Sequence, residues 1–242
     1  MAEFKLPTEV VELPSKGLIY PEDNPLSSGK VEMKYMTAKE EDILTNQSYI
    51  QKGIVIDKLL QSLIVSDIKY DDLIVGDKNA ILIAARVLGY GAEYSFEYNG
   101  QEVTVDLSSL EPREIEESLF IKGKNEFDFE FPSTGNKVTF KLLTGHDEKA
   151  IDRELAGLRK LDKNSVPELT TRLKHIITSI NGDTDKKTIR EFVDNYLLAK
   201  DSRALREYIR QIQPDIDMTF IPEGEDTPVT VPMTATFLYP DL

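Results

Sequence analysis

The chain has no cysteine, no tryptophan and only two histidines in 242 residues. Without cysteine there is no disulfide, no thiolate nucleophile and no cysteine-ligated zinc or iron–sulfur centre, which suits a reducing compartment. Long apolar runs are missing too: the longest, Ile54–Ile56, Leu63–Val65 and Ile81–Ala85, fall far short of the roughly 20 residues that span a bilayer. No membrane association is expected. Glu3 and Glu9 interrupt the basic-then-apolar order of a signal peptide. Positive charge is scarce, with 29 Lys and Arg against 43 Asp and Glu and a net charge of −14, which argues against a general nucleic-acid binder.

What is present suits a folded protein: 40% apolar and 30% charged residues, in a length that predicts one large domain or two small ones. Charge is unevenly spread. Residues 1–121 hold 11 basic and 22 acidic side chains, net −11, and residues 122–242 hold 18 and 21, net −3. Such asymmetry often accompanies a domain division.

Residues 1–29 read as an extended arm, because Pro7, Pro14, Pro21 and Pro25 allow no continuous helix. Leu13, Leu18, Ile19 and Tyr20 are its apolar anchors, held either by the chain's own domain or by a partner on which the arm orders. Lys30–Met36 alternates as a strand, and Thr37 with Glu40 forms a capping box for a helix over 38–44. Further helices are expected over 53–65 and from an Asp77 cap to about Leu88, closed by Gly89 and Gly91, followed by a hairpin around Asn99-Gly100. The acidic stretch 108–126, with one helical turn at EPREIEE, reads as a connection. A hairpin then brackets Pro132-Ser-Thr-Gly135, helices are expected over 146–161, 167–180, 184–198 and 201–212, and 217–221 with 229–236 reads as a terminal hairpin.

This order of elements occurs twice. KVEMKYMTAKEE at 30–41 aligns with KVTFKLLTGHDE at 137–148, and Leu73, Asp77, Ala80, Arg86 and Phe96 align with Leu197, Asp201, Ala204, Arg210 and Phe220. The expected fold class is therefore α+β: two related domains from an internal duplication, each a helical cluster with a small antiparallel sheet or hairpin that returns to its lead strand. The boundaries are an arm at 1–29, a first domain at 30–107, a linker with the start of a hairpin at 108–136, and a second domain at 137–242.

Catalytic constellations are sparse. His146 and His175 lie on separate expected helices without a partner His, Cys or Ser motif, and Gly89-Tyr-Gly91 lacks the third glycine of a dinucleotide loop. Asp183-Thr-Asp185 opens like a calcium loop, but Lys187 and Thr188 follow where a ligand and the turning glycine belong. No catalytic, cofactor-binding or metal-ligating residue is assigned, and no cofactor is expected. One charge pattern is sharper: Lys200, Arg203, Arg206 and Arg210 fall on one face of the last helix, opposite Leu205, Ile209 and Ile212. It reads as a solvated face, as a docking stripe for an acidic surface, or as the basic helix (200–210) of a nucleic-acid-binding module. An enzyme with an unfamiliar carboxylate site is a further reading.

Four phrases occur in order: PSKGLIYP at 14–21, MTAKEEDILTN at 36–46, LIVGDKNAILIAARVLGYGAEYSF at 73–96 and DSRALREYIRQIQPDIDMTF at 201–220. Together they resemble the baseplate hub assembly proteins of T4-like contractile-tailed bacteriophages, over nearly the whole chain. The resemblance implies a non-enzymatic tail protein that helps to build, or forms part of, the baseplate's central hub. It would work in the host cytoplasm during assembly or within the virion tail, with other hub and tail proteins as partners and homo-oligomerisation left open. Relatives carry paired cysteines resembling zinc knuckles in the hairpin loops; here those positions read Tyr98-Asn-Gly-Gln101 and Pro222-Glu-Gly-Glu225, so zinc is not implied. Phe237-Leu-Tyr-Pro-Asp241 keeps the pattern of the family's ending without its tryptophan. On this reading the arm residues Leu13, Leu18, Ile19 and Tyr20 and the stripe Lys200, Arg203, Arg206 and Arg210 are the expected partner contacts, and a chain lacking residues 1–29 should fold yet fail in assembly.

Overall fold

The structure is a computed structural model that describes residues 6–161, 166–222, 226–233 and 237–238. The segment expected to be an arm starts the fold. Strand β1 (Thr8–Glu12) pairs antiparallel with β2 (Lys30–Lys34), Val11 opposite Val31. Between them the chain folds back on itself at Gly17 and Gly29, both with positive φ. A Cβ on Gly17 would lie 2.4 Å from the Ser27 carbonyl oxygen, and one on Gly29 2.7 Å from the Lys16 carbonyl carbon, so this loop requires glycine twice. Leu13, Ile19, Tyr20 and Leu26 are buried as a result.

After β2 come α1 (Ala38–Leu44), the short α2 (Gln47–Gln51), α3 (Val55–Leu63) and α4 (Val75–Tyr90). Leu59, Leu60 and Leu63 of α3 face inward, as their helical spacing requires. Helix α4 begins two residues before the expected Asp77 cap: Ile74 is its N-cap, and the Asp77 side chain is drawn into the interior. Gly89 lies within this helix, packed near the Met36 side chain, and Gly91 ends it. Strands β3 (Glu93–Tyr98) and β4 (Gln101–Asp106) turn at Asn99-Gly100, both with positive φ as a two-residue hairpin needs. They form a sheet of their own. The expected return of this hairpin to the lead strand is thus corrected: β2 is already paired by β1.

The second half opens on β5 (Phe127–Glu130) and β6 (Lys137–Phe140), then α5 (Gly145–Leu161). The helix expected over 167–180 splits into α6 (Glu168–Ile176) and strand β7 (Ile177–Ile180), which completes a β5-β6-β7 sheet. The β-branched run Ile177-Thr178 and the open edge of β6 favour the strand. Then follow α7 (Lys186–Asn195), capped by the Asp185 carboxylate, and α8 (Ala199–Ile212). A hairpin of β8 (Thr219–Phe220) and β9 (Val229–Thr230) is again separate. Residues 234–236 of the expected last strand, most of the 222–225 loop and the end of the 237–241 phrase lie outside the described residues.

The architecture is α+β with small antiparallel sheets. One hydrophobic cluster runs from Leu13 through both halves to Leu238. The 108–126 stretch carries only short 3-10 turns and packs inward through Phe120, edge-on to Phe127. At the junction of the halves, Ile74 bridges Thr144, the Gly145 amide donates to the Leu73 carbonyl, and Gly76 lies against Pro214. Among the described residues no helix is long and apolar enough to cross a membrane.

Candidate functional site

The two expected contact regions have opposite fates. In the arm, Leu13, Ile19 and Tyr20 are 2%, 2% and 4% exposed, and Leu18 is partly buried against the same core. They anchor the chain to itself and are not free to grip a partner, which corrects the arm half of the expectation. The cause is local: the Asp77 carboxylate accepts hydrogen bonds from the Ser15 amide (3.0 Å), the Ser15 hydroxyl (2.7 Å) and the Tyr20 hydroxyl (2.6 Å). The Tyr20 oxygen in turn accepts from the Ile74 amide. Burial raises the Asp77 carboxyl above its ordinary range against the lowering effect of these donors, and burial raises the Tyr20 hydroxyl as well.

The basic stripe stands in solvent. Lys200, Arg203, Arg206 and Arg210 are all exposed, while Asp201, Leu205 and Ile212 on the opposite side of α8 are buried. Arg203 pairs with Glu207 one turn on at 2.8 Å, which raises the guanidinium and lowers the carboxyl. Arg206 donates to the Ser202 carbonyl. Lys200, Arg206 and Arg210 have no ion pair among the described residues. Among the described residues no hydrogen bond or ion pair joins the stripe to the arm, so there they do not form one site.

Sequence reading missed three buried carboxylates. Asp77 is one. The second, Asp201, accepts from the Ser133 amide (2.9 Å) and the Thr134 hydroxyl (3.0 Å), and these donors outweigh burial and hold its carboxyl below the usual range. The signal was available: Pro14-Ser-Lys-Gly17 and Pro132-Ser-Thr-Gly135 share a pattern, and each offers its serine amide to the aspartate of a later helix. The third, Glu40, is fully buried; it accepts from the Thr37 amide and hydroxyl (3.0 and 2.6 Å), the Lys34 ammonium (2.9 Å) and the Ser62 hydroxyl (2.7 Å). Burial pushes this carboxyl up, but the donors win and hold it at about 2. Asp147 has the equivalent arrangement, with the Thr144 amide and hydroxyl and Lys141 as donors.

Both imidazoles are engaged with carboxylates, His146 with Asp72 at 3.1 Å and His175 with Glu154 at 2.9 Å. A cleft of about 480 Å³ beside His146 is lined by Tyr70 and Asp71, and Asp71 is itself held by Lys149. These hydrogen bonds run to carboxylates, and among the described residues neither imidazole is hydrogen-bonded to a hydroxyl nucleophile. Among the described residues there is no group of three or more His, Cys, Asp or Glu able to hold a metal ion. In comparisons with models of protein families, with curated proteins and with solved structures, nothing matches the chain.

Proposed function

We propose that the chain is a non-enzymatic tail protein of a T4-like phage, which builds or joins the central hub of the baseplate through protein–protein contacts. The observation that carries this reading is the ordered resemblance of residues 14–21, 36–46, 73–96 and 201–220 to that family. The exposed stripe on α8 supports it: three cations without ion pairs among the described residues, on a chain of net charge −14, offer a local complement to an acidic partner. The arm's part in this reading is to build the domain rather than to touch a partner.

The proposal includes an internal duplication, now beginning at β1. It is supported by the recurring Lys–Thr–acid arrangements at Lys34, Thr37, Glu40 and Lys141, Thr144, Asp147, and by the two serine–aspartate contacts. The matched bridges Met33 to Ile64 and Phe140 to Ile177 add to it. A crystal structure tests this part: halves that superpose from β1 and β5 onward support it, and unrelated paths after Thr37 and Thr144 overturn it.

Function is tested by tagging the chain in phage-infected cells and identifying what co-purifies. Hub proteins should be recovered, and Arg203→Glu with Arg206→Glu should reduce their recovery, most at low salt, with the thermal midpoint unchanged. Recovery of no baseplate component would sink the reading. Salt-sensitive retention of DNA would instead favour a nucleic-acid-binding module on the same helix.

A further inference from the structure

Among the described residues nothing occupies one edge of the first sheet. The Tyr35 amide donates to the Pro7 carbonyl and the Leu13 amide to the Gly29 carbonyl. In an antiparallel pair the bonded positions alternate, so the odd residues of β1 face β2, and the N–H and C=O groups of Thr8, Val10 and Glu12 point the other way. The parity holds on β2: Glu32, opposite Val10, turns its amide to the Ser66 hydroxyl and its carbonyl to the Val65 amide, closing the far edge. Thr8, Val10 and Glu12 have no backbone partner on the outer side among the described residues. They form a row of donors and acceptors repeating about every 6.6 Å, the spacing a further strand would match.

Beside this row lies a groove of about 340 Å³. Its floor is α4, through Ala80, Ala84 and Val87, and its far side holds Leu110 and Pro112. On the strand, Leu6 and Val10 are 52% and 56% exposed, on the side-chain face shared by even-numbered residues. Edge strands are ordinarily blunted by charge, and here the only charges on β1 are two exposed carboxylates: Glu9, which accepts from the Tyr35 hydroxyl, and Glu12, whose surface pairing with Lys30 at 3.0 Å leaves it 75% exposed to a further cation. Acidic side chains repel an acidic strand and admit a basic one. A second copy of β1 brings the same two glutamates on a chain of net charge −14, so self-pairing is the disfavoured occupant.

We infer that the outer edge of β1, with the groove over α4, is a docking site for an extended basic segment of another protein, added as a strand and carrying alternating apolar side chains. The backbone row sets the conformation of the occupant, the groove takes its apolar side chains, and Glu9 and Glu12 select its charge. This stands apart from the phage reading, since it uses neither the family resemblance nor the α8 stripe.

Amide exchange on the intact chain tests it. At low protein concentration the Glu9 and Val11 amides should be protected, and those of Thr8, Val10 and Glu12 should exchange freely. The probe is a synthetic peptide alternating Lys or Thr with Val, and its control replaces each Lys by Glu. Adding the basic peptide should protect the Thr8, Val10 and Glu12 amides in a saturable manner, with the acidic control weaker by about tenfold or more. Val10→Pro removes an outward donor that β2 does not use, and should weaken the basic peptide by about tenfold while the chain stays folded. Ala84→Arg, which fills the groove floor, should do the same and decides the matter if the proline variant misfolds. Equal binding of the two peptides, binding unchanged in Ala84→Arg, or protection of the three amides without peptide would overturn the inference. Protection that grows with protein concentration alone would assign the edge to a second copy and overturn it equally.

Discussion

Replacing Glu40 by Gln tests whether the buried carboxylate or merely its shape holds the start of α1. The carboxylate accepts four hydrogen bonds, from the Thr37 amide and hydroxyl, Lys34 and Ser62. Gln has one acceptor oxygen fewer and puts an NH2 group among these donors. A carboxyl held at about 2 against an ordinary 4.5 corresponds to ~3 kcal/mol of stability at pH 7, at ~1.36 kcal/mol per unit. Lys34 is partly solvated, which discounts the figure to about 2–3 kcal/mol. In a chain of this size that is a fall in thermal midpoint of roughly 4–12 °C. The sign of the pH dependence follows from the lowered value: the stabilisation is complete above about 4.5 and drains away as pH falls towards 2. At pH 3.5 wild type should therefore have lost ~1 kcal/mol of its advantage, and the gap to Glu40→Gln should be visibly narrower. Urea melts of both proteins at pH 7 and 3.5 read this directly. A gap that stayed constant between the two pH values, or a variant as stable as wild type at pH 7, would show that the four contacts do not favour the ionised form.

Four other perturbations check the interior. Tyr20→Phe deprives Asp77 of one donor and the Ile74 amide of its acceptor, and should cost about 2 kcal/mol in a urea titration; a loss below about 0.5 kcal/mol would show that water replaces the hydroxyl. Asp77→Asn should be milder, because the Asn oxygen keeps the Ser15 amide and its NH2 can donate to the hydroxyls; since burial raises Asp77, wild type loses stability as pH climbs above about 3.8 and the variant does not. Gly76→Ala would set a Cβ 1.8 Å from the Pro214 carbonyl oxygen, and should lower stability by about 3 kcal/mol through backbone displacement, with an unchanged denaturation midpoint as the refuting result. Removing residues 1–29 takes Leu13, Ile19, Tyr20 and Leu26 out of the core, a loss of roughly 6–12 kcal/mol. This matches the entire stability of an ordinary domain, so the truncated chain should show no cooperative thermal transition.

Local signals carried much of the fold. The Thr37–Glu40 spacing placed α1, and Asn99-Gly100 fixed the β3–β4 turn, because capping and positive φ are decided within a few residues. What failed was decided at a distance. Ile177–Ile180 looks helical beside α6 and becomes a strand because β6 offers an edge. The prolines of the arm rightly excluded a helix, but they say nothing of where the segment lies; that was settled by Asp77, 62 residues from Ser15 in sequence. The α8 stripe was legible since its apolar and basic faces separate at helical spacing. The β1 edge was not, because which amides point outward depends on pairing register rather than on residue type.

Acidic residues are so numerous here that a solvated face is the natural reading for each, and for Glu40, Asp77 and Asp201 that reading fails. An ionised carboxylate in the interior is costly unless donors surround it. Asp201 meets this need with a serine amide and a threonine hydroxyl, and Asp77 meets it in part, burial still raising its carboxyl, with a serine amide and serine and tyrosine hydroxyls, neither with a cation among the described residues. Such an arrangement tolerates no slip. Moving the Pro-Ser-x-Gly turn by one residue would remove the serine amide and hydroxyl together and leave a buried charge bare, a penalty large enough to select one placement of the turn over its neighbours. Apolar contacts alone would discriminate weakly here, since the loop offers Leu13, Leu18 and Ile19 within a few residues of each other. On this argument the aspartates act chiefly as registration devices that fix each hairpin turn to a distant helix, and the hydrophobic cluster supplies the stability.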